Sequence, residues 1–184
     1  MLKSLTKFID LFGIDHLYQH LSARLKYKTR PLTENEIEIG KSVFSDAIDY
    51  KKVRIDEKSY TARHLQVIYV SFNTINSWGR MPKDILIHEL VHIWQYQKLG
   101  SIYIAEALAA QRSEAGYDYG GVTALKNALE NKKTLLNFNF EQQGDIVQDY
   151  FRLRSGFAAQ HDAKATKQDL PIYWQVIAPN LELK

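Results

Sequence analysis

Residues His88-Glu89-Leu90-Val91-His92 set two imidazoles four positions apart, with a carboxylate beside the first. On a helix four residues make about one turn, so both rings leave one face about 6 Å apart along the axis, close enough to share an ion. The chain has no cysteine, so any metal must be held by histidine and carboxylate, and zinc suits such a set. Glu89 stands beside the pair without being a ligand, where it can take a proton from water as general base. The competing explanation is three polar residues that share an amphipathic face by accident. Apolar Ile85, Leu86, Ile87, Leu90, Val91, Ile93 and Trp94 surround them, so the helix reads as buried rather than solvated. Unpartnered imidazoles and a carboxylate in such a helix are expensive unless something satisfies them.

Tetrahedral zinc needs a third protein ligand. Glu141-Gln142-Gln143-Gly144-Asp145 opens a later helix, and its spacing puts two carboxylates on one face, one turn apart. Glu141 can reach the metal while Asp145 accepts the second ring N–H of a ligand histidine and sets its tautomer. Both are equally readable as helix N-terminal acids favoured by the macrodipole. The longer pattern of the metzincins is absent, because Gln95 and Lys98 occupy the places where it needs Gly and His.

H-E-x-x-H followed by E-x-x-x-D on a separate helix resembles the gluzincin group of zinc metallopeptidases. More narrowly, residues 88–95, Tyr117-Asp118-Tyr119, Phe138 to Gln143 and Ile146 to Tyr150 are similar to a small bacterial zincin-like family, associated with type VI secretion spikes and Rhs elements. The resemblance covers about residues 80–155. It implies His88, His92 and Glu141 as zinc ligands, Glu89 as base and Asp145 as the partner of a ligand histidine. Gly144 stands where a larger residue is expected, a departure expected to cost nothing at the metal.

Other residues compete for roles. Tyr117-Asp118-Tyr119-Gly120 resembles the loop that gives aspzincins their third ligand, which makes Asp118 the alternative to Glu141, although the glycine and threonine that open that loop are missing. Glu106 and Glu114 read as surface acids. Tyr117, Tyr119 and Tyr150 could each stabilise an oxyanion, but their types do not distinguish them from core or rim tyrosines. His161, followed by Asp162, could serve the same purpose, although a lone late histidine is more often a surface residue.

The elements that must carry these residues follow from periodicity. Thr33 with Glu36 forms a capping box, predicting a helix from Glu34 to about Asp49. Val53 to Ile55 and Leu65 to Val70 are short β-branched runs that predict a small sheet. A helix is predicted from Pro82 to Lys98, closed by Gly100. Further helices are expected near 101–115, 122–132, 140–154 and 166–177, and two short amphipathic ones before residue 30. The class is α+β, mostly helical, zincin-like, with the small sheet packed on the H-E-x-x-H helix and later helices. Residues 1–184 read as a single domain, with a basic amphipathic region over 1–30 and the metal-binding core over 80–155.

Composition narrows the function classes. With 45% apolar and 12% aromatic residues among 184, the chain can bury a sizeable core. A net charge of +3 from 24 basic and 21 acidic residues is too small and interspersed to argue for nucleic acid. No window is long and apolar enough for a membrane span, and the amino terminus lacks signal-peptide form. Synthesis in the cytoplasm is expected, with any export to the periplasm or a target cell left to a specialised system. Three functions compete: a zinc hydrolase of amide bonds in peptide, protein or peptidoglycan stem, a catalytically silent adaptor of a secretion apparatus, and a metal-free interaction module using the basic amino terminus. A secretion spike or an immunity protein is the partner the resemblance implies.

Overall fold

In the computed structural model, residues 29–111 and 116–181 are described. The helices expected before residue 30, their basic face and Glu114 lie outside this range, apart from Thr29 and Arg30. Strand β1 (Thr29–Pro31) leads to helix α1 (Glu34–Phe44). The expected capping box starts α1: Glu36 N donates to Thr33 Oγ1 at 3.3 Å, and Thr33 N to Glu36 Oε2 at 2.7 Å. The helix stops five residues earlier than predicted, because Ser45 takes a left-handed φ of 48° and turns the chain so that Ile48 and Tyr50 enter the core.

Strand β2 (Arg54–Asp56) lies one residue beyond the predicted run. Leu65 to Val70 does not form one strand. Helix α2 (Tyr60–Leu65) takes its start, because the Ser59 hydroxyl accepts from Ala62 N and Gln66 closes the helix with φ 55°. Only β3 (Tyr69–Ser71) is extended, and a two-residue turn joins it to β4 (Thr74–Asn76). The sheet order is β1-β2-β4-β3. β1 and β2 are antiparallel, β2 and β4 parallel with Ile55 opposite Ile75, and β3 and β4 antiparallel with Val70 opposite Ile75. β3 is thus an edge strand.

Helix α3 (Lys83–Leu99) packs against β3 and β4 of this sheet and is buried all round from Leu86 to Tyr96, which is why it lacks a clear polar face. It is followed by α4 (Ile102–Gln111) and α5 (Gly121–Glu130). Helix α6 (Phe140–Arg154) occupies the predicted range and opens on a capping box of its own: Gln142 N donates to Asn139 Oδ1 at 2.9 Å and Asn139 N to Gln142 Oε1 at 3.0 Å. Helix α7 (Leu170–Leu181) closes the described chain and packs on α5 and α6. The α3–α6 pair is the most extensive helix contact, and one core runs from Ile55 and Ile75 on the sheet through Ile87, Leu90 and Trp94 to Ile146 and Tyr173. The architecture is α+β and mostly helical, with a small four-stranded sheet packed on α3.

Candidate metal centre

Helix α3 directs His88 and His92 toward α6, and α6 returns Glu141 and Asp145 from its first turns. One donor atom from each of His88, His92 and Glu141 falls within a span of 4.8 Å. Glu141 Oε2 lies 3.7 Å from His88 Nε2 and 3.5 Å from His92 Nε2. The two rings stand edge to face, 5.0 Å between centroids. Asp145 Oδ1 sits 3.1 Å from His88 Nδ1, on the far side of that ring from Glu141. All five residues of the group, Glu89 included, are at most 9% exposed.

This burial governs the charges. It opposes protonation of His88, but the bonds to Asp145 and Glu141 outweigh it and lift the imidazole to about 10. His92 is raised as well: burial opposes the shift and Glu141 drives it. Burial would raise Glu141, yet the two histidines hold it well below the usual carboxylate range. Glu89 is pushed up by burial against the pull of both histidines. Its Oε2 and the Oδ2 of Asp145 are buried with no hydrogen-bond partner among the described residues. Convergent imidazole nitrogens, a depressed carboxylate and an orphaned acidic oxygen are the donor chemistry that zinc accepts, so the residues fit that ion.

The group opens into a cleft of about 690 Å³. Edge strand β3 contributes Tyr69 and Val70 to its lining, together with Val67, Trp78, Tyr117 and His161. Tyr103 also lines it and donates its hydroxyl to Val70 O at 2.5 Å, tying α4 to the edge strand.

Of the residues singled out from sequence, the fold brings His88, Glu89, His92, Glu141 and Asp145 together. Asp118 is not among them: it is exposed, and its Oδ1 accepts from Gly120 N at 2.8 Å in a local turn. Glu106 lies outside the metal-capable group found among the described residues. Of the three tyrosines only Tyr117 faces the cleft, and its hydroxyl is raised first by burial and then by Glu141. Tyr119 instead donates to Asp149 at 2.8 Å and meets the Tyr173 hydroxyl at 2.6 Å. Tyr150 stacks on Trp174. His161 corrects its reading as a surface residue: it lines the cleft with Nε2 3.2 Å from Asp145 Oδ1, in ion-pair range though not in hydrogen-bond alignment.

Sequence reasoning missed three supports. Gln95 places Oε1 2.8 Å from His92 Nδ1. Asp149, fully buried, holds the backbone of Gln160 and His161. Gly144 lets α6 approach His88. Gln95, a neutral amide, and Gly144 carry no motif signal, and only the distance between the two helices gives them a role; Asp149 owes its role to a loop that returns to it eleven and twelve residues later.

The fold and this centre describe a mostly helical α+β protein with a buried two-histidine, one-glutamate group at the foot of a cleft. No protein-family model matches the sequence. The type VI secretion system spike protein VgrG2b of Pseudomonas aeruginosa is 32% identical across 70% of this chain, which spans only 13% of that protein's length. The effector domain of Pseudomonas aeruginosa VgrG2b shares the fold, with a TM-score of 0.52 at 22% identity over 90% of this chain and 95% of the domain. By sequence this chain is similar to a part of that spike protein, and by fold to the protein's effector domain.

Proposed function

We propose that this chain is a zinc-dependent hydrolase of zincin type that cleaves an amide bond in a peptide or a peptidoglycan stem. The observation that carries the reading is the convergence of His88, His92 and Glu141 within 4.8 Å, beside a buried Glu89 whose Oε2 has no partner among the described residues. His88, His92 and Glu141 would hold the ion. When bound, zinc supplies the Lewis acidity that polarises a carbonyl and acidifies water.

The remaining work falls to side chains of this chain. Glu89, held above its ordinary range by burial, takes a proton from the attacking water and returns it to the amide nitrogen as the C–N bond breaks, leaving a carboxylic acid and an amine. Asp145 orients His88 from behind. Tyr117 and His161, on the cleft wall, are the available donors to the carbonyl oxygen as its charge develops.

The relationship to VgrG2b supports a setting in type VI secretion, with export by that apparatus and a spike or immunity protein as partner. A silent adaptor of the spike is the second reading, favoured by the same relationship. Glu89 weighs against it, because a purely structural site has no use for a buried base next to the ligands.

Zinc content of the purified protein, followed by hydrolysis of peptide libraries and of purified peptidoglycan by wild type and Glu89→Gln, tests the proposal. Zinc in both proteins with activity only in the wild type supports it. Activity that survives in Glu89→Gln sinks the mechanism, and zinc without activity in either protein favours the adaptor.

A further inference from the structure

We propose that Gln95 is a positioning residue that sets the tautomer of His92 and locks it to the helix carrying Glu141, an inference that rests on the hydrolase reading above. Gln95 and Gln143 are 1% and 2% exposed, so both amides must satisfy themselves within the protein. Two backbone carbonyls, which can only accept, decide how. Phe138 O lies 2.8 Å from Gln143 Nε2, so the amide nitrogen of Gln143 faces it and its Oε1 turns to Gln95. Phe140 O and Gln143 Oε1 then both need donors from Gln95 Nε2, at 3.1 Å and 2.9 Å. Both N–H groups of Gln95 are used, and its Oε1 is left facing His92 Nδ1 at 2.8 Å.

An oxygen with no hydrogen to give makes Nδ1 the protonated nitrogen of His92. The Nε2 lone pair therefore points into the group, toward Glu141. Had either carbonyl been a donor, the relay would run the other way and put a hydrogen where a ligand needs a lone pair. Phe138 and Phe140 flank the start of α6, one turn before Gly144, so the same chain of bonds ties His92 on α3 to the backbone that carries Glu141. His88 reaches an equivalent state through Asp145. The two histidines are thus set by different means, one by a carboxylate and one by a neutral amide anchored on backbone.

The test begins with the wild-type chain, metal-free and alkaline enough to leave His92 uncharged. Long-range proton–nitrogen NMR then reads which ring nitrogen carries the hydrogen. Nδ1–H is expected, and Nε2–H overturns the proposal whether or not any variant folds. Gln95→Met keeps the volume and removes the acceptor. It should mix the two tautomers and weaken zinc binding, read by chelator competition, about ten- to a hundredfold. Gln97→Met, which removes bonds to Asp49 and Asn73 from the same helix, controls for general loosening and should leave zinc affinity near wild type. Unchanged affinity in Gln95→Met, or an equal loss in Gln97→Met, overturns the proposal. A wild-type chain that binds no zinc refutes the hydrolase reading instead, while the tautomer still decides the role of Gln95.

Discussion

Gly144 lies flat against the His88 imidazole, so close that a β-carbon there would stand 2.5 Å from Cε1 and 2.8 Å from each ring nitrogen. This approach lets Glu141 and Asp145, on either side of it in α6, reach opposite edges of one ring, at 3.7 Å and 3.1 Å. A glycine inside a helix sacrifices about 1 kcal/mol relative to alanine. The expectation that glycine here costs nothing at the metal is thus too weak, because a larger residue would displace the ring.

Gly144→Ala should therefore lower stability despite its better helix propensity. Overpacking of this kind costs about 1–3 kcal/mol, more than the propensity gain returns. Zinc affinity should fall with it as His88 moves. Thermal unfolding and chelator competition check both, and a variant more stable than wild type with unchanged affinity would show that the helices separate freely.

Helices α3 and α6 were legible from their start and stop signals, and the face shared by His88 and His92 from the helical repeat. The Asn139–Gln142 cap and the spacing from Glu141 to Asp145 place α6 within its predicted bounds. The short elements were not legible. β1 and β4 are three residues each and owe their conformation to pairing with β2, β1 across the segment that holds α1 and β4 across the segment that holds α2 and β3. Residues 60–65 carry a local cap at Ser59 that outweighs the β-branched run after them. His161 looked like a surface residue because nothing near it in sequence reveals that Asp149, twelve residues earlier, holds its backbone inside the cleft.

Acid should weaken the protein partly through Asp84. Burial alone would raise this carboxyl, but the Arg152 guanidinium at 2.5 Å and the Gln148 amide at 3.2 Å hold it below its ordinary value. A depressed folded-state pKa contributes stability that is fully present above the unfolded value, about 3.9, and is lost as pH falls through the folded one. Wild type should exceed Asp84→Asn in thermal stability at neutral pH, and the gap should close below about pH 4. A gap that is constant with pH would remove Asp84 from the acid response.

Asp149 should matter more than its distance from Glu141 suggests. It is fully buried and accepts from Gln160 N at 2.5 Å, His161 N at 3.1 Å and the Tyr119 hydroxyl at 2.8 Å. Asp149→Ala leaves the amides of Gln160 and His161 without this acceptor, at about 1–3 kcal/mol for a buried group without a partner, while the Tyr119 hydroxyl keeps Tyr173. Urea denaturation should register the loss, and the amide of His161 should exchange with solvent far faster. Protection unchanged at that amide would mean that another contact holds the segment.

Removing the metal should separate ligands from base. Zinc bound only by the folded chain stabilises it by mass action, about 2.7 kcal/mol when free ion exceeds the dissociation constant a hundredfold. For a chain of this size that corresponds to a Tm shift on the order of 5–10 °C, which chelator should abolish in the wild type. His92→Ala lacks one of the proposed ligands and should not respond to chelator. Glu89→Gln should respond fully, because its carboxylate is buried beside the ligands but lies outside the three-residue group. A Glu89→Gln protein that ignores chelator would make Glu89 a ligand, and the base would have to be found elsewhere on the cleft wall.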